Sequence, residues 1–330
     1  MAFNRRSNEY WERRAAEQLS LIEKQSLKHI NEIDRVYLDA RRRTVEDTKK
    51  LYEAYYTKQG WDTTKLKQIA PRGDIRRFRE SVEAAGLASR LPDRYGFRMS
   101  RLELLEAQMW LEARKAALAH QGIQRAAHRE TINTAYNYAL YNLSKGTGQV
   151  PAFAQIDSKK VTAILDTKFH GKNYSQRVWG NSTKLAREIR HELGFAANTG
   201  QSYTRTSKKL KDRYNVTRME AQRLVRTETN HFNTLATTES YKEIGLDQFV
   251  YVATLDTRTS EICQRLDQRR FSLDDTENMP PQHPNCRSTQ RAWLGAGYEP
   301  DQRIMRDPET GENRHIENMS YEQWKELVLD

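Results

Sequence analysis

The chain has 330 residues, 55 Lys and Arg against 44 Asp and Glu, 37% hydrophobic residues and a mean hydropathy of -0.92. No stretch approaches the roughly 18 apolar residues that a membrane span needs, and the opening MAFNRRSNEYWERR is too charged for a secretory signal. Cys263 and Cys286 are the two cysteines, enough for one bridge at most, so neither a membrane protein nor a disulfide scaffold is expected, and the address reads as intracellular or virion.

From Ser7 to Gln59 there is no Gly or Pro, while Leu19, Ile22, Ser26, Ile30, Ile33, Tyr37 and Ala40 recur at spacings of three and four, so one long amphipathic helix of about 75 Å is predicted, bent back or packed on a partner. Two shorter helices of a bundle would fit the same run. Gly60 to Gly96 carries Pro71, Gly73, Gly86 and Pro92 among short polar runs, punctuation for loops between short helices. A second long helix is predicted from Ser100 to Leu143, with Ser100 and Glu103 spaced for a reciprocal cap. SKGTGQVP at 144–151 then reads as a linker and a domain boundary.

Beyond it, 157–168, 174–193 and 202–214 are helical in pattern and rich in Lys and Arg. A further helix is predicted to open at Thr217-Arg-Met-Glu220, a second capping pair. Ala221, Val225, Glu228, Phe232 and Leu235 form one stripe of that helix. Glu228 is the single charge in it, and a carboxylate on a buried face needs a cationic or hydrogen-bonding partner; an arginine is predicted, with Arg287 and Arg258 the leading candidates. After Gly245 the period changes to two, which predicts a strand over 248–255 and a second near 269–272. Three prolines in MPPQHPNCR, 279–287, forbid a regular helix. The segment 296–330 reads as an acidic tail with a short helix from Ser320 to Leu329. The fold class expected is mainly α, with an elongated helical N-terminal region over 1–143 and a small α+β C-terminal module carrying a short antiparallel sheet after residue 245.

Charge is unevenly placed: residues 145–230 hold 17 basic and 7 acidic side chains, and 231–330 hold 11 and 18. A basic middle attracts polyanions, of which nucleic acid is the commonest, and the acidic end can screen it. Lys208, Lys209, Lys211, Arg213, Arg218, Arg223 and Arg226 are the phosphate-contact candidates, set against the plainer reading of a solvated helix face.

Four blocks stand in order: Arg226-Thr-Glu228; Asp256-Thr-Arg258-Thr-Ser-Glu-Ile-Cys263; Leu266-Asp267 before Phe271; and Pro280-Pro-Gln-His283-Pro-Asn-Cys286-Arg287. Their order and spacing resemble the phage head morphogenesis family, minor capsid proteins of the Mu F type, over about 152–295. The resemblance implies a structural role in the virion of a tailed bacteriophage: a few copies near the portal inside the procapsid, touching packaged double-stranded DNA without base readout and sometimes ejected with it. Portal protein, DNA and a scaffold or capsid protein are the partners it implies. Arg226, Glu228, Asp256, Arg258, His283 and Arg287 are expected to hold the module together through buried polar contacts.

The resemblance implies C-x-x-C before H-x-x-C, which is tetrahedral zinc spacing. Here the first position is Ser260, leaving Cys263, His283 and Cys286, with Asp256 or water to complete a zinc site. Simple packing of two thiols and an imidazole, or a Cys263–Cys286 bridge, are the other readings. Rival functions are an HNH-like or Cys/His-dependent DNA-processing enzyme built on His283 and Asn285, and a cellular non-specific nucleic-acid binder. Against an enzyme, the chain shows no nucleophile elbow, no phosphate-binding glycine loop with G-x-x-x-x-G-K and no H-E-x-x-H.

Overall fold

A computed structural model describes residues 8–147, 156–295, 302–307, 310 and 313–329. The protein is mainly helical, with small antiparallel sheets toward its C-terminal end. Helix α1 spans Asn8–Tyr55, α2 Thr63–Lys67, α3 Arg72–Ala84, α4 Arg101–Thr147, α5 Ser158–Leu165, α6 Tyr174–Thr199, α7 Tyr203–Glu243, α8 Glu261–Leu266 and α9 Tyr321–Leu329. The strands are β1 (Tyr56–Thr57), β2 (Gly60–Trp61), β3 (Gln248–Val252), β4 (Arg270–Ser272), β5 (Thr289–Ala292), β6 (Gln302–Arg306) and β7 (Asn313–Glu317). None of the described helices is long and apolar enough to cross a membrane.

The long first helix forms as its spacing predicts, with Ile22, Ile30, Ile33, Tyr37 and Ala40 all buried. It stops four residues short of the expected end because Gly60, at φ 101°, turns the chain into the β1–β2 hairpin. The predicted cap of α4 is present in both directions: the Ser100 N–H donates to Glu103 Oε2 at 2.7 Å, and the Glu103 N–H donates to Ser100 Oγ at 3.2 Å. That helix carries on through Ser144–Thr147, so the first part of the expected linker is helical; 148–151 lie outside the described residues.

The expected helix start at Thr217 is absent. Helix α7 runs unbroken from Tyr203 to Glu243, since nothing between its ends interrupts the backbone ladder. The Thr217 hydroxyl donates to the Arg213 carbonyl at 3.0 Å, the bond of a threonine inside a helix, and Glu220 receives Lys184 at 2.7 Å.

Two compact units divide the chain, one built from Met1–His29, Arg125–Asn173 and Arg223–Asp330, the other from Ile30–Gln124 and Tyr174–Gln222. Both are discontinuous in sequence, and α1, α4 and α7 contribute to each. In the second unit, Phe78 and Val82 of α3 pack with Leu104, Ala107, Trp110 and Leu111 of α4 and with Tyr95. Arg90 stacks over the Trp179 ring at 4.0 Å.

In the first unit the sheet has the order β4-β3-β5, all antiparallel, with Phe249 opposite both Phe271 and Ala292. Phe249, Tyr251, Leu266, Leu273 and Ala292 form its core with Ala139, Leu143 and Tyr241. Each large side chain buried this way contributes about 1.5–3 kcal/mol. Strand β5 has no alternating pattern because all four of its residues are buried, including Gln290 and Arg291. The acidic tail is not merely a tail: β6 and β7 pair antiparallel, and Met305, Tyr321 and Trp324 pack with Leu255.

Candidate functional site

The site lies in the first unit, where the proline-rich turn 279–288 closes on α7. Pro280, Pro281 and Pro284 have no N–H, so carbonyls of the turn are answered from elsewhere. Asn230 answers two of them, donating from Nδ2 to the carbonyls of Cys286 at 2.9 Å and Ser288 at 3.1 Å. The Asn285 N–H donates to Thr227 Oγ1 at 3.1 Å, and Asn285 itself sits at φ 59°, a left-handed conformation that asparagine tolerates. Gln290 Nε2 donates to the Thr234 carbonyl at 3.1 Å and to Thr238 Oγ1 at 2.9 Å. The His-Pro-Asn-Cys-Arg turn and the Arg-Thr-Glu helix thus form one polar-cored piece.

Glu228 is 1% exposed, as the stripe predicted. The two arginines expected to answer it are engaged elsewhere. Asp256 accepts from the Arg258 N–H at 2.8 Å, from Arg258 Nη2 at 3.2 Å and from Arg287 Nη2. The reason is local: Arg258 lies two residues from Asp256 and shares its turn, so the pair closes without crossing the module. Burial works to raise the Asp256 carboxyl, and the hydrogen bonds from Arg258 and Arg287 outweigh it and hold the group well below the usual carboxylate range. Arg226 and Arg258 are exposed, which corrects their expected place among buried contacts.

Cys263, on the first turn of α8, and Cys286, in the turn, are free thiols and buried. Their sulfurs are 3.6 Å apart, and His283 Nε2 lies 3.4 Å from Cys263 Sγ. The three donor atoms all fall within 4.8 Å of one another. Asp256 is not in this group; its oxygens are taken by the two arginines. Tyr251, on β3, donates its hydroxyl to Cys263 Sγ at 3.1 Å. The hydrogen bond between the thiols pushes Cys286 down to about 5, against the effect of burial, and pushes Cys263 up. Burial raises the Tyr251 hydroxyl.

A groove of about 840 Å³ opens beside this cluster, lined by Ile22 and Leu27 of α1, by Arg226, Thr229 and Asn230 of α7, and by Arg258, His283, Asn285, Cys286 and Arg287. Cationic groups from three segments thus face one space.

The basic candidates divide by exposure. In the second unit Lys208 and Lys211 are exposed, whereas Lys209 and Arg213 reach Glu192 at 3.0 Å each and Arg218 pairs with Asp34 at 3.6 Å. In the first unit Arg223 and Arg226 are exposed. Sequence reading missed Asn230, Thr227, Gln290 and Tyr251 as members of the site. The density of Thr and Asn in α7 between Thr227 and Thr238 was the available signal.

Residues 187–291 match the family described as Phage Mu protein F like protein. The match runs from α6 to β5 and takes in α7, the Asp256 turn, α8 and the proline-rich turn. The NAD(+)--arginine ADP-ribosyltransferase EFV of Enterococcus faecalis is 22% identical over 139 residues, 41% of this chain. The aligned part spans 28% of that protein's length. No solved structure matches the chain.

Proposed function

We propose that this chain, similar over residues 187–291 to the Mu protein F-like family, is a minor head protein of a tailed bacteriophage, acting in head assembly as a structural factor and not as an enzyme. The observation that carries the reading is the match itself, because it falls on the segment in which α7 and the His-Pro-Asn-Cys-Arg turn are joined. The proposal places the protein in the virion, inside the procapsid near the portal, with portal protein and a scaffold or capsid protein as partners. It contacts packaged double-stranded DNA through Lys208 and Lys211 in one unit and Arg223 and Arg226 in the other, by charge and without base readout. Loss with the DNA at ejection belongs to the same reading.

The structure supplies no comparable support for the rival enzyme. His283 and Asn285 lie at the groove, but His283 is turned toward two thiols and Asn285 spends its backbone N–H on Thr227.

Sedimentation with procapsids tests the proposal. The full chain, expressed with the capsid, scaffold and portal proteins of a phage that encodes it, is expected in the procapsid fraction and to depend on the portal for its place there. Recovery in the soluble fraction only, with procapsids assembled normally, overturns it.

A further inference from the structure

We infer that Cys263, His283 and Cys286 bind one zinc ion whose fourth position stays open toward the groove. The inference stands apart from the phage reading and rests on the geometry of these residues.

Ligand distances decide first. Zinc holds thiolate sulfur at about 2.3 Å and imidazole nitrogen at about 2.0–2.1 Å in a tetrahedron, which sets sulfur to sulfur at about 3.8 Å and sulfur to nitrogen at about 3.6 Å. The observed separations are 3.6 Å between the two sulfurs and 3.4 Å between Cys263 Sγ and His283 Nε2. A bridge would need the sulfurs at about 2.05 Å. Packing alone would satisfy the first distance, but it leaves the imidazole unexplained.

The ring is oriented as a ligand is. His283 Nδ1 lies 3.0 Å from the Pro284 carbonyl, which can only accept, so Nδ1 carries the proton and the Nε2 lone pair faces the sulfurs. Tyr251 gives its hydroxyl to Cys263 Sγ at 3.1 Å, and the same oxygen stands 4.0 Å from Cys286 Sγ. Two sulfurs with one imidazole favour zinc over magnesium or calcium, which take oxygen. Binding deprotonates both thiols, releasing the protons to solvent, and two thiolates balance the charge of the ion.

The fourth position is open because, among the described residues, none suited to it joins the cluster. Asp256 is held by Arg258 and Arg287. Ser260, one turn before Cys263, brings a buried hydroxyl beside that thiol, and a neutral hydroxyl is not among the usual zinc donors. His283 and Cys286 themselves line the groove, together with Arg226, Arg258 and Arg287. Water or a small anion can therefore reach the ion from a side lined with positive charge.

The test uses the reduced full-length protein, loaded with zinc alone or with cobalt alone and freed of excess metal. One equivalent of zinc per chain is expected, lost in His283→Ala and in Cys286→Ser, with helical circular dichroism as the check on folding. The cobalt form is expected to show thiolate charge-transfer absorption and to change its visible spectrum on addition of azide. Ser260→Cys, which adds a ligand without removing one, is expected to keep one equivalent, bind it more tightly and lose the response to azide. A wild-type chain that retains no metal while both thiols titrate free overturns the inference, as does the same stoichiometry in His283→Ala. A cobalt form indifferent to azide in the wild type overturns the open position.

Discussion

His120 shows what burial does to one ionisable ring. It lies on α4 in the second unit, 1% exposed, with its Nδ1 3.1 Å from the Tyr37 hydroxyl and the two rings edge to face at 5.7 Å. Removing the imidazolium from water is costly, so burial pushes the ring's pKa down to about 4, with Gln124 opposing the fall. The unfolded chain takes up a proton near 6.5 and the folded one does not until about 4, so stability is complete above 6.5 and declines as pH falls between these values. The loss is on the order of 3 kcal/mol. Urea unfolding midpoints should therefore drop from pH 7 to pH 4, and His120→Gln should flatten that drop. An equal slope in the variant would assign the acid sensitivity to other groups.

At the scale of elements, α7 explains most about the site. Between Thr227 and Ser240 it buries Thr227, Glu228, Thr229, Asn230, Asn233, Thr234, Thr237, Thr238 and Ser240, a composition that normally faces water. Each such group must find a partner or be costly: Thr227, Thr238 and Ser240 give their hydroxyls to carbonyls of α7 itself, while from outside the helix Gln18 bridges Asn233 and Thr237 at 2.8 Å each, and Gln290 and the turn meet Thr227, Asn230 and Thr238. Asn230→Ala leaves the Cys286 and Ser288 carbonyls without their donor and should lower stability by about 1–3 kcal/mol. The local sign is faster hydrogen exchange in 283–288 than elsewhere in the first unit; unchanged protection there would show that Asn230 does not hold the turn. The C-terminal hairpin is fastened by a different device. Arg303, 1% exposed, forks onto Asp267 at 2.7 and 2.9 Å and also donates to the Ala253 and Met319 carbonyls, so a charge from the acidic tail becomes part of the core.

For the molecule as a whole, the question is how much of its positive charge remains available to a polyanion. Lys209, Arg213 and Arg218 are answered by Glu192 and Asp34, which leaves Lys208, Lys211, Arg223 and Arg226 of the original seven exposed. If DNA is held by these, binding falls with salt through counterion release, and each lysine removed lowers the slope of log affinity against log salt by about 1. Lys208→Ala with Lys211→Ala should therefore reduce it by about 2, equally for any duplex sequence, while Lys209→Ala should cost folding stability through the nearly buried Glu192 it pairs with. A double variant with the parent's slope would remove these lysines from the DNA-contacting surface.

Periodicity determined the long helices, because a three-to-four spacing of Ile, Tyr and Ala leaves one face for a core whatever that core proves to be; the Ser100–Glu103 cap and strand β3 were legible for equally local reasons. The four blocks carried the family resemblance through their residues, order and spacing. What α7 buries, where β5 runs and which arginine meets which carboxylate were decided only by tertiary structure. Thr, Asn, Gln and Arg are polar in sequence whether they face water or a partner, and Arg291 on β5 or Arg303 on β6 becomes interior only when the chain brings the answering groups around it. The same holds for Asp256: the short path within one turn brings Arg258 to it, but nothing in a linear string ranks Arg287 on Asp256 above Arg287 on Glu228, and only the folding of the 279–288 turn onto the module settled that choice.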